Sequence, residues 1–309
     1  MNASELSFGV MVLLHISIGV SVNGFLLLFY IRVVSTSHKP SSSDLILAQL
    51  ALANILLLLT LGIPEALYAW GWRNFLTISG CKILMYLYRV GRGLAICTTC
   101  LLSVFQAVTL SPGTSRWARV KAKLHESVVP SCALSWVLSL LVECNVAIQV
   151  TGPQNNSSAH IMLDHKYCSQ ISDTAETAMV ITAVLTLRDV FFVGLMSLAS
   201  GYMVFVLHRH HHRVRHLHGH DRSPREMPEV RAAKRVVALV TLYVLLYGRQ
   251  TLMLNVIINM KVKSRQLVNG HMLLSFTFSV LSPFPVIIGD HRMRPFWEKN
   301  PPASGADSS

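Results

Sequence analysis

The chain alternates long stretches without charge with short polar segments. The stretch from Gly93 to Ser115 has 23 residues without a charged side chain, and Leu45 to Pro64 has 20. Because a helix needs about 20 apolar residues to cross a bilayer, the pattern predicts seven transmembrane helices. We place these spans at about 7–31, 45–70, 81–110, 128–150, 178–207, 236–260 and 268–289. The predicted fold is an all-α membrane protein, a single seven-transmembrane helix bundle over residues 1–309 with a short tail from 290 to 309.

The third predicted span combines cations and apolar residues in a helical pattern. Arg89, Arg92, Ile96, Thr99 and Ser103 recur at steps of three or four residues, so a helix brings them to one face. Charge is therefore confined to the first half of the span. We interpret this span as the central helix of the bundle, with a small-molecule pocket beside its charged half.

Composition also favours a membrane location. Of the 309 residues, 52% are apolar and only 14% are charged, whereas soluble domains contain about 25% charged residues. The formal net charge of +12 does not indicate nucleic-acid binding, because the basic residues are spread between apolar runs and do not form one face. We expect a lipid bilayer as surroundings and no nucleic-acid partner.

The distribution of basic residues predicts the orientation. With the N-terminus outside, the three inner turns and the tail contain 17 of the 27 Lys and Arg residues, and the outer loops contain five. This asymmetry agrees with the positive-inside rule. The glycosylation sequons at Asn2, Asn155 and Asn156 also fall outside. We therefore expect an extracellular N-terminus, a cytoplasmic C-terminus and a multi-pass protein of the plasma membrane.

Two of the six cysteines are placed where a disulfide can form. Cys81 lies at the outer end of the third span and Cys168 in the second outer loop, on the oxidising side of the membrane. A disulfide between them would hold the long loop over the bundle, and two free thiols are the alternative. Cys97 and Cys100 form a C-x-x-C pair inside an apolar span, where small residues help helices to pack, so we predict no metal site there.

Eight ionisable residues lie inside the predicted spans, all in or near the outer half. Such residues are costly in lipid and usually face a polar cavity. Five cations against three anions favour a small acidic or sulfated organic ligand. The alternative is that these groups only pair with one another, for example Arg92 with Glu65 or Glu143. The candidate ligand-binding residues are Arg89, Arg92, Arg188, Asp189, Arg249, Glu65 and Glu143, and Lys82 is the eighth ionisable residue.

A histidine-rich segment follows the fifth span. The stretch from His208 to His220 contains seven histidines in 13 residues, interspersed with arginines. Because the arginine charges oppose a bound cation, we interpret the segment as a basic helix extension that docks an acidic cytosolic partner, with no metal bound. The sequence shows no nucleophile–base pattern, phosphate-binding loop or paired carboxylates. We therefore expect a protein that is not an enzyme and has no cofactor.

The motifs that follow the spans narrow the class of protein. No Asp-Arg-Tyr follows the third span, and no Asn-Pro-x-x-Tyr closes the seventh, which reads Ser282-Pro283-Phe284. With seven spans and a tethered second outer loop, the chain resembles G-protein-coupled receptors. Further stretches are similar to vomeronasal type-1 receptors over essentially the whole chain: His38-Lys39-Pro40, Leu50-Ala51-Leu52-Ala53-Asn54, Arg92-Gly93, Cys97-Thr98-Thr99-Cys100-Leu101-Leu102-Ser103, Tyr167-Cys168-Ser169, Arg188-Asp189-Val190, Gly194-Leu195-Met196, Ala199-Ser200-Gly201 and Ser223-Pro224.

This resemblance implies a chemosensory receptor that detects pheromone-type ligands in vomeronasal neurons. It further implies activation of an inhibitory-class heterotrimeric G protein, with a phospholipase and a cation channel downstream. It also supports the Cys81–Cys168 bridge and a glycan at Asn155 or Asn156. The expected G-protein contacts lie in the inner basic turns, at Arg116, Arg119, Lys121, Arg209, Arg213 and Arg215.

The chain departs from the family pattern at three places. Thr277-Phe278-Ser279-Val280-Leu281 replaces a Cys-Phe-Pro-Thr-like approach to Ser282, Pro285 is added, and Arg249 stands in a stretch that is usually uncharged. Two alternatives stay open. One is a bitter-taste-type receptor, whose motifs the chain lacks. The other is a small transporter or channel, which would need internal repeats or polar residues continuing through the inner half.

Overall fold

The computed structural model describes residues 3–36, 41–72, 75–111, 115–146, 150–151, 160–165, 168–172, 175–217, 228–259, 265–290 and 292–293. In these ranges the chain forms eight α-helices and three short β-strands. The helices are α1 (Ala3–Thr36), α2 (Ser42–Ala69), α3 (Ile78–Leu110), α4 (Ser115–Val142), α5 (Ala175–Leu217), α6 (Pro228–Asn259), α7 (Arg265–Leu281) and α8 (Pro283–Gly289). The strands are β1 (Val150–Thr151), β2 (His160–His165) and β3 (Cys168–Ser172).

A helix is found at the position of each predicted span. Six helical stretches within the described ranges are long and apolar enough to cross a membrane: Glu5–Thr36, Ser42–Ala69, Ile78–Leu110, Arg119–Val142, Ala183–Arg209 and Leu267–Gly289. The last stretch joins α7 and α8, and α6 occupies the position of the sixth predicted span. The chain is thus a helix bundle whose helices suit a multi-pass membrane protein.

The centre of the bundle is formed by α2 and α3. In the apolar stretch of each of these two helices 72% of the residues are buried, against 11% in that of α5. α3 packs against α2, α4, α5 and α6, and its residues Leu94, Ile96 and Leu102 are almost completely buried. The uncharged half of α3, from Gly93 onward, is buried by these neighbours, as expected for a helix segment that is apolar all round. The interpretation of the third span as the central helix is confirmed.

The helix at the position of the fourth predicted span, 128–150, has different bounds. α4 begins at Ser115, inside the segment that the sequence analysis treats as a polar turn, and it ends at Val142. Its basic first turns pack against the bundle, because the Lys121 ammonium donates to the Ser111 carbonyl at the end of α3, 2.7 Å away. The helix stops before Glu143, which begins a turn over residues 143–145 and pairs with arginines of neighbouring helices.

The seventh predicted span, 268–289, is interrupted at Ser282. Pro283 has no N–H to donate, so α7 ends before it and α8 starts with it. The Ser282 N–H still donates to the Phe278 carbonyl at 2.8 Å, and its hydroxyl accepts from the Asn54 amide at 2.9 Å. That amide also donates to the Asn23 side-chain oxygen at 3.0 Å. These buried amides join α1 and α2 to the break between α7 and α8.

The loop between α4 and α5 contains a small antiparallel sheet that the sequence analysis did not anticipate. Its strand order is β1-β3-β2, with Val150 opposite Gln170 and an irregularity between Ile161 and Leu163. β3 begins at Cys168, which forms a disulfide with Cys81 in the first turn of α3. We call this end of the bundle the disulfide end, and the end that contains Asp290 the opposite end.

Candidate functional site

Five charged side chains meet near the disulfide end of the bundle. Arg89 and Arg92 are three residues apart on α3 and share a face. Arg188 and Asp189 lie on α5, and Glu143 follows the last residue of α4. We call these five residues the arginine–carboxylate network. Three elements that are distant in sequence therefore bring charge to one place inside an apolar bundle.

Arg188 is the best-held member of the network. Its Nη1 donates to Glu143 Oε1 at 2.6 Å, and its Nε and Nη2 donate to Asp189 Oδ1 at 3.0 and 2.9 Å. The side chains of Glu143 and Asp189 are only 1% and 5% exposed. Buried carboxylates need such charge-assisted hydrogen bonds, because removal from water penalises an unpaired charge. Arg188 therefore holds both carboxylates in place.

The two arginines of α3 each pair with one of these carboxylates. Arg89 Nη1 lies 3.5 Å from Glu143 Oε2, and Arg92 Nη2 donates to Asp189 Oδ2 at 3.0 Å. Each carboxylate thus bridges an arginine of α3 and Arg188 of α5. Three guanidinium groups against two carboxylates leave the network with one positive charge.

Arg92 is the member that faces open space. Its side chain is 37% exposed, and it lines a cavity between α3, α6 and α7. Its guanidinium carbon lies 5.9 Å from the centre of the Tyr247 ring, a cation–π contact. The Tyr247 hydroxyl in turn donates to Asp189 Oδ2 at 3.4 Å. The cavity therefore has one cation at its wall, held between an aromatic ring and a carboxylate.

The rest of the cavity wall is mostly aromatic. Tyr243 stacks on Tyr247 with ring centres 5.9 Å apart, and its edge contacts Phe278 at 4.9 Å. Ser275 and Ser279 add hydroxyl groups from α7. In this conformation the cavity has a volume of only about 50 Å³, which is far below the several hundred Å³ of sites that hold organic ligands.

The structure brings together five of the seven predicted ligand-binding residues: Arg89, Arg92, Arg188, Asp189 and Glu143. Arg249 is exposed on α6, and Glu65 is completely buried on α2; neither belongs to the arginine–carboxylate network. The five network residues do pair with one another, as the alternative interpretation expected. The example given for Arg92, with Glu65 or Glu143 as its partner, is wrong, because Arg92 pairs with Asp189.

The sequence analysis missed the tyrosines of the cavity. Tyr243 and Tyr247 are four residues apart on α6, and Tyr88 directly precedes Arg89 on α3. Four-residue spacing places two side chains on one face of a helix, and a polar tip needs a partner when it is buried. The spacing of Tyr243 and Tyr247 could have indicated that they share a face of the helix. It does not indicate which neighbouring helix that face packs against.

The disulfide joins the pair of cysteines that the topology pointed to, Cys81 and Cys168. Both are buried, and they form a small apolar cluster with Met85 and Val146. Cys144 is exposed in the turn after α4. The predicted glycosylation sites at Asn2, Asn155 and Asn156 lie outside the described residues.

A second set of ion pairs closes the opposite end. Arg292 pairs with Asp44 of α2 through Nη1 and Nη2, at 3.1 and 2.8 Å, and with Asp290 at 2.8 Å. Arg235 of α6 lies 3.9 Å from Asp290. Burial by itself would raise the pKa of Asp290, but the hydrogen bonds and charge of Arg292, aided by Arg235, hold that pKa below its ordinary value. These contacts tie α2 and α6 to the residues that follow α8.

The predicted G-protein contacts are only partly described. Arg119 on α4 and Arg209 on α5 are exposed, whereas Lys121 is occupied by the Ser111 carbonyl. The side chains of Arg116, Arg213 and Arg215, and those of the histidine run from 210 onward, lie outside the described residues.

The comparisons with known proteins all point to the same receptor family. The family model of the vomeronasal organ pheromone receptors matches residues 6–299. Vomeronasal type-1 receptor 3 of Homo sapiens is 36% identical over 94% of this chain and 93% of its own length. Vomeronasal type-1 receptor 4 of Homo sapiens is 38% identical over 91% and 93%. Olfactory receptor class A-like protein 1 of Danio rerio is 32% identical over 93% and 90%.

Proposed function

Because the chain belongs to the vomeronasal type-1 receptor family, a family of G-protein-coupled receptors and not of enzymes, we propose that it detects a small organic anion of pheromone type. The ligand carries one negative charge, as a carboxylate or sulfate, on an apolar body. It binds beside Arg92 and activates an inhibitory-class G protein. Membership of this family rules out the bitter-taste receptor and transporter alternatives.

The observation that carries this proposal is the position of Arg92. The network has one more cation than anion, and Arg92 is the cation that lines the cavity. An anion beside it would bring the network to neutrality at a site with little water, where charge-assisted hydrogen bonds are strong. The aromatic rings of Tyr243, Tyr247 and Phe278 supply the apolar wall that an organic body needs.

The small volume of the cavity adds a condition. An organic ligand has many times the volume of a water molecule, so the stacked pair of Tyr243 and Tyr247 must move to admit it. Both lie on α6, so ligand entry acts on the helix that also reaches Arg235 at the opposite end. This link supports a two-state bundle in which the ligand favours the arrangement with the cavity open.

We place the disulfide end outside the cell and the opposite end in the cytoplasm, in the plasma membrane. The excess of Lys and Arg in the turns at the opposite end supports this orientation, and a disulfide forms in an oxidising compartment. A glycan at Asn2, Asn155 or Asn156 is consistent with it. The G protein then binds the cytoplasmic end, where the exposed cations Arg119 and Arg209, with neighbouring Arg116, Lys121, Arg213 and Arg215, attract an acidic partner.

The test uses pairs of probes that differ in charge. The full chain is expressed with an inhibitory-class G protein, and its activation is recorded with octanoate against octan-1-ol and with estrone sulfate against estrone. We expect a response to at least one acid and none to its neutral counterpart. The Arg92→Gln variant should lose this response at equal surface expression, and Arg249→Gln, which removes an exposed cation of α6, should keep it. A receptor that responds equally to the neutral compounds would refute the anionic ligand.

A further inference from the structure

The two oxygens of Asp189 have different partners. Oδ1 accepts from Arg188 Nε and Nη2 at 3.0 and 2.9 Å. Oδ2 accepts from Arg92 Nη2 at 3.0 Å and from the Tyr247 hydroxyl at 3.4 Å. Through Oδ1 the Asp189 carboxylate binds a neighbour on its own helix, α5. Through Oδ2 it binds residues of α3 and α6. Loss of the Oδ2 contacts would leave the Oδ1 contacts in place.

The two arginines that share Asp189 are held unequally. Arg188 is fixed by Asp189 and by Glu143 Oε1 at 2.6 Å, and its side chain is 15% exposed. Arg92 makes its ion pair with Asp189 alone among the described residues and is 37% exposed. It is also the one of the two that lines the cavity. The contact between Arg92 and Oδ2 is therefore the one that a molecule in the cavity can reach.

An exchange at this contact leaves no buried charge without a partner. If an incoming anion takes the place of Oδ2 on Arg92, the Asp189 carboxylate keeps two hydrogen bonds from Arg188. Arg92 exchanges one charge-assisted bond for another. The large penalty that follows removal of one partner from a buried ion pair is avoided. A neutral molecule offers no equivalent replacement, because it would leave Arg92 beside the cavity without a counter-ion.

From this geometry, and on the basis of the function proposed above, we propose that Asp189 is an internal competitor of the ligand: it occupies Arg92 in the empty receptor, and the anionic group of the ligand replaces it. Asp189 is then a specificity-determining residue that sets the threshold for the acid. The exchange separates α3 from α5 at Arg92 and releases the Tyr247 hydroxyl of α6. This exchange therefore breaks the Asp189 contacts with α3 and α6, while Glu143 still joins Arg89 of α3 to Arg188 of α5.

Asp189→Asn and Glu143→Gln form a matched pair of variants. Each replaces a nearly buried carboxylate by an amide of the same shape and raises the net charge of the network by one. Only the first removes the carboxylate that faces Arg92. We record G-protein activation by octanoate and estrone sulfate at equal surface expression. Asp189→Asn should lower the half-maximal concentration of the active acid about tenfold or more, the value of one charge-assisted hydrogen bond. Glu143→Gln should shift it less than about threefold, because Arg92 stays occupied.

The outcomes separate this inference from the proposed function. If the wild type responds to acids through Arg92 but both amide variants shift the potency equally, or Asp189→Asn does not shift it, only the competition by Asp189 is refuted. An acid that activates Asp189→Asn but not the wild type supports it. If Asp189→Asn fails to reach the surface, Asp189→Ser carries the test with a smaller side chain. Failure of both variants while Glu143→Gln is expressed would assign Asp189 a structural role and overturn the inference. Silence of the wild type and all variants refutes the proposed function as well.

Discussion

Replacement of Arg188 by glutamine should destabilise the protein more than the same change at Arg89. Arg188→Gln removes three hydrogen bonds to two carboxylates that are 1% and 5% exposed. Removal of one partner from a buried ion pair costs about 3–5 kcal/mol. Within the network, Arg89→Gln removes the 3.5 Å contact to Glu143, and Glu143 keeps Arg188. We expect a cost of about 1 kcal/mol there.

Thermal unfolding of the purified protein in lipid nanodiscs measures this difference. With about 2 °C per kcal/mol for a chain of this size, Arg188→Gln should lower the unfolding temperature by about 6–10 °C and Arg89→Gln by about 2 °C. The double variant Arg188→Gln/Glu143→Gln provides a control, because one of the two carboxylates that Arg188 leaves behind is then also neutral. The fall in unfolding temperature of the double variant should be smaller than the sum of the falls caused by Arg188→Gln and Glu143→Gln alone. An Arg89→Gln variant as unstable as Arg188→Gln would refute the assignment of Arg188 as the residue that holds both carboxylates.

Two further predictions concern the ends of the bundle. Cys168→Ser removes a disulfide that closes a loop of 87 residues, and the chain-entropy model gives such a bond about 4–5 kcal/mol of stabilisation. The unfolding temperature should therefore fall by several degrees, whereas Cys144→Ser, which changes an exposed thiol, should leave it unchanged. Equal effects of the two variants would contradict the stabilising role of the disulfide. At the opposite end, the lowered pKa of Asp290 contributes stability that is present above the ordinary Asp pKa and is lost as pH falls through the lower folded value. Arg292→Gln should therefore reduce the stability at pH 7 and shrink the further loss seen below about pH 4, and an unchanged pH profile would argue against the contact.

The helix bundle could be predicted because lipid imposes its own pattern. A span must satisfy its backbone hydrogen bonds internally, so uncharged runs such as Leu45 to Pro64 can only be helices, and α2 covers that run. The ends of helices follow other forces. α4 begins at Ser115 in a basic segment and ends at Val142, directly before Glu143. Lys121 of its basic part binds the Ser111 carbonyl, and Glu143 pairs with Arg188 across the bundle. Neither contact is visible in the local sequence.

The small sheet in the second connecting loop shows the same limit. Its strand β2, from His160 to His165, has neither a long apolar run nor a regular alternation that would mark a strand. It forms by pairing with β3, which the disulfide from Cys168 to α3 fixes in place. The small sheet therefore depends on a disulfide and on backbone hydrogen bonds between residues distant in sequence. The composition of the segment alone indicates only a loop.

The sequence could predict most residues of the candidate site, but it could not predict which of them form ion pairs with each other. Ionisable residues inside an apolar span are costly in lipid, so the sequence alone identifies Arg89, Arg92 and Glu143 as candidates. Their partners depend on how α3, α4 and α5 are rotated against one another. Arg92 and Asp189 are 97 residues apart, and no local pattern links them. The tyrosines of α6 remained unnoticed for the same reason.

A structure of the full receptor bound to an acid that activates it, determined in lipid nanodiscs, tests the central claim most directly. The account predicts that the carboxylate or sulfate lies about 3 Å from the Arg92 guanidinium, with Asp189 Oδ2 withdrawn from Arg92 and Asp189 Oδ1 still bound to Arg188. An acid bound elsewhere, with Arg92 and Asp189 still 3.0 Å apart, would contradict it.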